Sequence, residues 1–446
     1  MENTFAKYLN TVRETETLVY VGHVKSVQGL LIEAVGPQSV IGEICKIDSG
    51  GKEVLAEVVG LDGYTVKLMA YGETNGLQIG SEVRASGKQL EIKCSSELLG
   101  RILGPLGVPI DGKGTIKAAE TLPVMRSAPP ALSRSLIKER MFTGIRAVDA
   151  LIPTGRGQRM GIFAGSGVGK STFQGMIARN TNADVNVIAL IGERGRELND
   201  FIENSLGEEG LKRSVLVVAT SDQSPLCRLR GAYTATAVAE YFRDLGQNVM
   251  LLFDSVTRFA RAQREIALSS GEPAGLRGFP PSVFDLLPKL LERSGPSEKG
   301  SITAFYTVLV EGDDMDEPVA DNVRGVLDGH IVLSRRLAAR SHYPAVDVLE
   351  SISRVDKDIS GEATRKAAAK IKRLMADYFQ SEDIINAGAY KAGSNPTIDE
   401  AIAKHPIIEE FLIQQIEEKV TLAETLSRLA DIAEIEIPET EWYHNN

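Results

Sequence analysis

Between Arg159 and Arg179 an apolar run, a dense set of glycines and a proline-free stretch follow one another directly, and few folds accept that order. Arg159-Met160-Gly161-Ile162-Phe163 has strand character, and Thr172 to Arg179 suits a helix. The turn between them is Ala164-Gly165-Ser166-Gly167-Val168-Gly169-Lys170-Ser171. Glycines in a strand-to-helix turn let backbone N–H groups converge on phosphate oxygens, and the helix N-terminus adds its positive end. Gly165, Ser166, Gly167, Val168, Gly169, Lys170, Ser171 and Thr172 are therefore the expected nucleotide-binding set. Lys170 would reach the β- and γ-phosphates, and the Ser171 hydroxyl would ligate Mg²⁺. The first position of the usual pattern is Ala164 in place of glycine, and an ordinary Gly-rich turn is the alternative.

At 446 residues the chain is too long for one ordinary core, so two or three domains are expected. Its hydrophobic and charged fractions, 43% and 25%, are those of a soluble globular protein. No apolar run approaches the ~18 residues of a membrane span. The first residues, Met1 to Lys7, have neither a basic cap nor an apolar core, so no secretion is expected. Cys45, Cys94 and Cys227 are scattered, which suits a reducing cytoplasm rather than a disulfide framework. A formal net charge of −10 argues against a nucleic-acid partner.

Three regions follow from patterning. Residues 18–92 are short β-rich runs, such as Val54 to Val59 and Thr65 to Met69, separated by glycines. That pattern predicts a small β-barrel or sandwich. From about 145 to 350, near-continuous apolar runs (Val185 to Ile191, Val215 to Ala219, Val249 to Phe253, Ile302 to Leu309) alternate with helical stretches. This is the signature of a buried parallel sheet with crossover helices. Beyond about 355, Ala363, Ala367, Ile371, Leu374 and Tyr378 share one helical face, and Leu422, Leu426 and Leu429 share another. The expected division is a segment 1–20, a β-barrel at 21–95, an α/β nucleotide-binding domain at 96–355 and a helical domain at 356–446.

Phosphoryl transfer also needs a metal-site carboxylate and a group that orients water. Asp254 ends the run Val249 to Phe253, at the strand end that faces the ligand crevice in a doubly wound sheet. There it would hold the Mg²⁺ shell through water, or simply cap the next helix. Glu193 follows the strand Val185 to Ile191 and the turn Gly192, where a carboxylate could polarise attacking water. The cluster Glu193-Arg194-Gly195-Arg196-Glu197 could equally be a surface set of ion pairs. Asp313-Asp314-Met315-Asp316-Glu317 reads as a solvated acidic loop rather than a metal site.

These elements occur in one order with Asp254-Ser255-Val256-Thr257-Arg258-Phe259 and with Pro344-Ala345-Val346-Asp347-Val348-Leu349-Glu350-Ser351-Ile352-Ser353-Arg354. Together they resemble the catalytic-subunit superfamily of rotary ATP synthases. Gly155 to Gly161, Ala164 to Gly169, Gly278 to Phe284 and Asp328 to Arg335 narrow the likeness to export ATPases of the bacterial flagellar type III secretion apparatus. Those relatives also carry Ala where Ala164 stands, and the resemblance spans about residues 20–435. It implies a RecA-like P-loop ATPase core with an N-terminal β-barrel and a C-terminal helical domain. By the same resemblance Glu193 orients the hydrolytic water, whereas non-hydrolysing subunits of the superfamily carry Gln there. Arg194 and Arg258 approach the γ-phosphate, and Tyr343 stacks on adenine unless it is merely packed in its turn. Arg354 serves a neighbouring subunit's nucleotide as an arginine finger, with an inter-strand salt bridge as its alternative.

The resemblance further implies ATP and Mg²⁺, a homohexameric ring, and a cytoplasmic protein peripheral at the inner membrane. Its implied partners are a stator-like regulator, a stalk protein, the membrane export gate, and export substrates with their chaperones. Ser269 to Gly278 would line the ring's pore against the stalk, or be a mobile loop without a partner. Virulence-type export ATPases and rotary synthase catalytic subunits are the alternatives within the superfamily. A nucleic-acid translocase would want a basic, aromatic-rich barrel, but Tyr20, Tyr64 and Tyr71 are the only aromatics of residues 18–92.

Overall fold

The computed structural model describes residues 20–310, 312 and 314–442. The segment 1–20 read from sequence lies outside them except for Tyr20. The chain divides into two compact units, one holding the described residues up to Glu91 with Ser224–Leu226 and Ile266–Glu272, the other the remainder.

The first unit is a closed six-stranded barrel, so of the two all-β readings the barrel stands. Its strands are β1 (Val21–Gln28), β2 (Leu31–Val35), β3 (Glu43–Ser49), β4 (Lys52–Asp62), β5 (Thr65–Ala70) and β6 (Glu82–Gln89), paired in the order β1-β2-β5-β4-β3-β6. Alternation sorts the side chains: Ile32, Ala34, Cys45, Ile47 and Leu68 point inward and are buried, while Glu33 and Lys46 between them are not. A glycine is required at Gly22, where a Cβ would fall 2.1 Å from the carbonyl carbon of Gly36.

The second unit is built on one sheet. Its path is β7 (Ile102–Leu103), β8 (Arg159–Ala164), β9 (Val185–Ile191), β10 (Ser214–Ala219), β11 (Asn248–Asp254), β12 (Ser301–Leu309), β13 (Gly329–Leu333) and β14 (Val346–Ser353) in chain order. In space the order is β14-β13-β8-β12-β11-β9-β10-β7. Every pairing along this path is parallel except the first, β14 with β13, which is antiparallel. Every residue of β9 and β10 is buried, as a sheet covered on both faces requires.

Five helices frame the site and its surroundings: α1 (Lys170–Asn180), α2 (Val256–Ser269), α3 (Glu362–Asn386), α4 (Pro396–Leu412) and α5 (Leu422–Ala433). Ala367, Ile371 and Leu374 on α3, and Leu426 and Leu429 on α5, are buried as their spacing predicts. Thr421 caps α5 and Glu424 returns the bond in a capping box, which fixes where the helix begins. α4 has no clear periodic signature in the sequence; Asn395 caps it and Pro396 opens it, while Pro406 interrupts its interior pattern. Of these helices α1, α3, α4 and α5 share one apolar core with the sheet, in which Ile162 and Met250 join Ile371, Phe411 and Leu429. Each such fully buried side chain contributes roughly 1.5–3 kcal/mol. Among the described residues no helix is long and apolar enough to cross a membrane.

Candidate active site

The phosphate loop leaves the carboxyl end of β8 and enters α1. Gly167 and Gly169 take left-handed backbone conformations, φ +79° and +85°, which other residues resist. Val168 is buried and anchors the loop, Gly165 is buried behind it, and Ser166 and Gly167 are exposed. No side chain caps α1, so its first amides are left for another acceptor. Lys170, Ser171 and Thr172 form its partly buried first turn.

Three charged side chains from three elements meet at this turn. Lys170 Nζ donates to Asp254 Oδ1 at 2.7 Å, across from β11, and lies 3.6 Å from Glu193 Oε1, just past β9. Apart from that ion pair, Glu193 Oε1 is buried without a hydrogen-bond partner. Burial opposes charge on Lys170, but Asp254 and then Glu193 outweigh it and raise its pKa. Burial also pushes the Asp254 carboxyl up, with Glu193 adding to the effect against Lys170 and Arg258. The sequence placed Asp254 and Glu193 at strand carboxyl ends; the structure brings both to one ammonium.

Arg258, on α2, is close enough to act on Asp254, and its stem packs on Gly192. A Cβ on Gly192 would meet Arg258 Cβ at 2.9 Å, and the residue's φ is +74°, so the turn before Glu193 needs glycine. Arg194 is not part of the cluster. It is exposed and lies 3.6 Å from Glu197, while Arg196 pairs with the same carboxylate, so this part of the run is the surface ion-pair set.

Tyr343 does reach the loop: a Cβ on Gly169 would lie 3.4 Å from its ring. The ring borders a cavity of about 390 Å³ whose walls include Phe173, Met176 and Leu333. Its remaining wall is Ile413-Gln414-Gln415-Ile416, directly after α4. Nothing local in the sequence marks these four residues, because their partner Tyr343 is distant along the chain. The Gln414 N–H donates to the Tyr343 carbonyl at 2.9 Å, joining the two walls.

Arg354 lies at the far end of the sheet. It is exposed, its N–H donates to Asp328 O at 3.0 Å, and its Nη2 is 3.4 Å from Arg324 O. Asp328 in turn pairs with Arg159 at the amino end of β8. A strand advances about 3.3 Å per residue, so the phosphate loop begins roughly 17 Å away along β8. Arg354 cannot serve its own chain's loop, and no inter-strand salt bridge holds it among the described contacts.

Asp314 pairs with Arg277 at 2.8 Å and Asp316 lies 3.6 Å from Arg324, which makes that loop one of surface ion pairs; Asp313 lies outside the described residues. Among the described residues no three His, Cys, Asp or Glu side chains could by themselves hold a metal. The phosphate-loop site nevertheless fits Mg²⁺. The ion takes one or two protein oxygens and completes its shell with phosphate and water, and Asp254 with the Ser171 hydroxyl are such oxygens.

Comparison with known proteins agrees with this geometry. Residues 144–353 match the nucleotide-binding domain of the ATP synthase alpha/beta family, and residues 24–87 match that family's beta-barrel domain. Residues 361–431 match the T3SS EscN ATPase C-terminal domain. The flagellum-specific ATP synthase of Treponema pallidum (strain Nichols) is 54% identical over 433 residues, covering 97% of each chain. The solved structure of the assembled ATPase EscN of the enteropathogenic E. coli type III secretion system superposes with a TM-score of 0.88 at 43% identity, covering 92% of this chain and all of that one. EscN in complex with its central stalk EscO gives a TM-score of 0.87 at 42% identity, with the same coverage. The chain belongs to the family of flagellum-specific ATP synthases, within the ATP synthase alpha/beta proteins.

Proposed function

We propose that this chain is a Mg²⁺-dependent ATPase that energises protein export through the flagellar type III secretion apparatus. One observation carries the reading: Lys170 bridges Asp254 and Glu193 at the uncapped start of α1. Bound with the nucleotide, Mg²⁺ would supply Lewis acidity at the β- and γ-phosphates. Ser171 and Asp254 would hold the ion. The backbone from Gly165 to Gly169 cradles the phosphates, and Lys170 turns from Asp254 toward their oxygens. Apart from its 3.6 Å ion pair with Lys170, Glu193 Oε1 has no hydrogen-bond partner, which suits a group that orients water for in-line attack. Arg258 stands beside Asp254 to meet charge developing on the γ-phosphate, and Arg194 would have to swing in from solvent to join it. Tyr343 stacks on adenine in the neighbouring cavity.

Because Arg354 lies at the opposite end of its own sheet, it would complete a neighbour's site, and we propose a homohexameric ring. The structure of EscN with its central stalk supports a stalk protein as a partner here, met by the stretch Ser269 to Gly278. A stator-like regulator, the membrane export gate, and export substrates with their chaperones complete the proposed partners. The proposal places the protein in the cytoplasm, peripheral at the inner membrane, and keeps the division at residues 20, 95 and 355. The likeness to EscN favours a second reading, service to a virulence-type secretion system. Higher identity to the flagellar relative ranks it second.

The test is ATPase rate against concentration of the purified chain, with particle mass recorded in parallel. Specific activity that climbs as a six-fold species forms supports a self-sufficient ring. A chain that binds Mg-ATP yet stays monomeric and inert would need a second subunit, and the rotary-synthase reading would replace this one.

A further inference from the structure

The two walls of the cavity beside the phosphate loop come from segments far apart in sequence, and a partly buried pair helps tie them. His342, the residue before Tyr343, donates from Nδ1 to Glu409 Oε2 at 3.0 Å. Glu409 lies in the last turn of α4, just before the wall Ile413 to Ile416. The His342 side chain is 4% exposed, and its Nε2 is buried without a hydrogen-bond partner, so the ring is fastened at one nitrogen only. The Glu409 carboxyl is held below the usual range, mainly by this hydrogen bond and in spite of burial. Next to the pair, the Gln414 N–H bonds the Tyr343 carbonyl. Arg146 anchors the same segment from behind, donating to Phe411 O at 2.9 Å and to the Ile413 carbonyl and the Glu418 carboxylate.

The geometry points to His342 as a positioning residue: through Glu409 it clamps the wall Ile413–Ile416 against Tyr343 and so sets affinity for the nucleotide's base. The inference rests on the reading of this cavity as the base pocket. Among its described contacts His342 touches neither the phosphate loop nor the Lys170–Asp254–Glu193 cluster, so its effect falls on binding of the base. A lone structural hydrogen bond would change stability without distinguishing ligands that carry a base from those that do not.

The experiment titrates the full chain, with Mg²⁺, against a fluorescent ATP analogue (mant-ATP) and against inorganic tripolyphosphate, which has no base. His342→Ala is expected to weaken mant-ATP about tenfold, equivalent to about 1.4 kcal/mol. Tripolyphosphate should be unaffected, and KM for ATP should rise more than kcat falls. His342→Asn, whose amide can replace Nδ1–H, should restore most of the affinity. Glu409→Ala should match His342→Ala, and the double variant should be no weaker than either, which keeps the test open if one single variant fails to fold. Equal mant-ATP affinity in wild type and variants would overturn the proposal, as would parallel loss of tripolyphosphate or failure of His342→Asn to rescue. Wild type that binds tripolyphosphate but not mant-ATP would sink the base-pocket reading itself, and the proposal with it.

Discussion

The two ends of strand β8 treat charge in opposite ways. At the amino end, Arg159 lies 3.0 Å from Asp328 and 2.5 Å from Glu292, and Arg134 closes on Glu292 at 2.7 Å. There Glu292 is held below the ordinary carboxylate range, since Arg159 and Arg134 outweigh its burial. At the carboxyl end, one ammonium serves two carboxylates, Asp254 is pushed up by burial, and Glu193 keeps an unbonded oxygen. Matched charges secure a structure, whereas two acids sharing one ammonium leave negative charge in excess, which a further cation such as the Mg²⁺ proposed there would offset.

The largest expected effects lie at the carboxyl end and at Arg354, which would complete a neighbour's carboxyl end. Glu193→Gln should retain Mg-ATP binding while phosphate release falls about 10³–10⁴-fold. Near-normal turnover would mean that another group positions the water. Arg354→Ala should bind ATP nearly normally and lose about 10³-fold in turnover. Mixing it with Glu193→Gln should recover part of the rate, because some interfaces then pair an intact Glu193 with an intact Arg354. If no mixture recovers activity, the residue does not act across subunits.

For the ion pairs of Arg159 and Glu292 at the amino end the effects should be on stability alone. Arg159→Met leaves Asp328 and Glu292 without their shared partner and should cost about 2 kcal/mol in chemical denaturation, with unchanged ATP affinity. A loss of affinity without a loss of stability would erase the contrast between the two ends. The smallest effect concerns pH. A carboxyl whose folded pKa is lowered stabilises the fold above its unfolded pKa, near 4.3, and that stability is lost as pH falls through the folded value. Glu292→Gln should thus be less stable than wild type at pH 7, by only about 1 kcal/mol because water screens a partly exposed carboxylate. The gap in unfolding midpoints should close below about pH 4. A gap that stays constant with pH would show that the lost contribution is not electrostatic.

What was legible in the sequence was whatever is written in consecutive residues. The strand, loop and helix from Arg159 to Asn180, the buried runs of β9 to β12, and the carboxylates at strand ends all appear where the patterns place them. Arg354 came through resemblance alone, since an exposed arginine after an edge strand has no local signature. The cavity beside Tyr343 was half legible: Tyr343 could be named, but its opposite wall could not, because no periodicity links it to Ile413. Likewise His342 and Glu409 meet only because α4 folds back, and Pro406 obscured that helix. Arg194 turns outward, 3.6 Å from Glu197, a local choice of side-chain angle that spacing does not encode.

Arg354's place at the far end of the sheet has a consequence for control. With Arg354 acting across subunits as proposed, a solitary copy would carry its nucleotide with the trigger missing, like a cartridge without a firing pin. Dilution would then act as a safety catch: stray copies would burn no fuel, and turnover would begin only where enough copies are gathered to close a circle. Abundance and local crowding would govern the enzyme with no inhibitor needed.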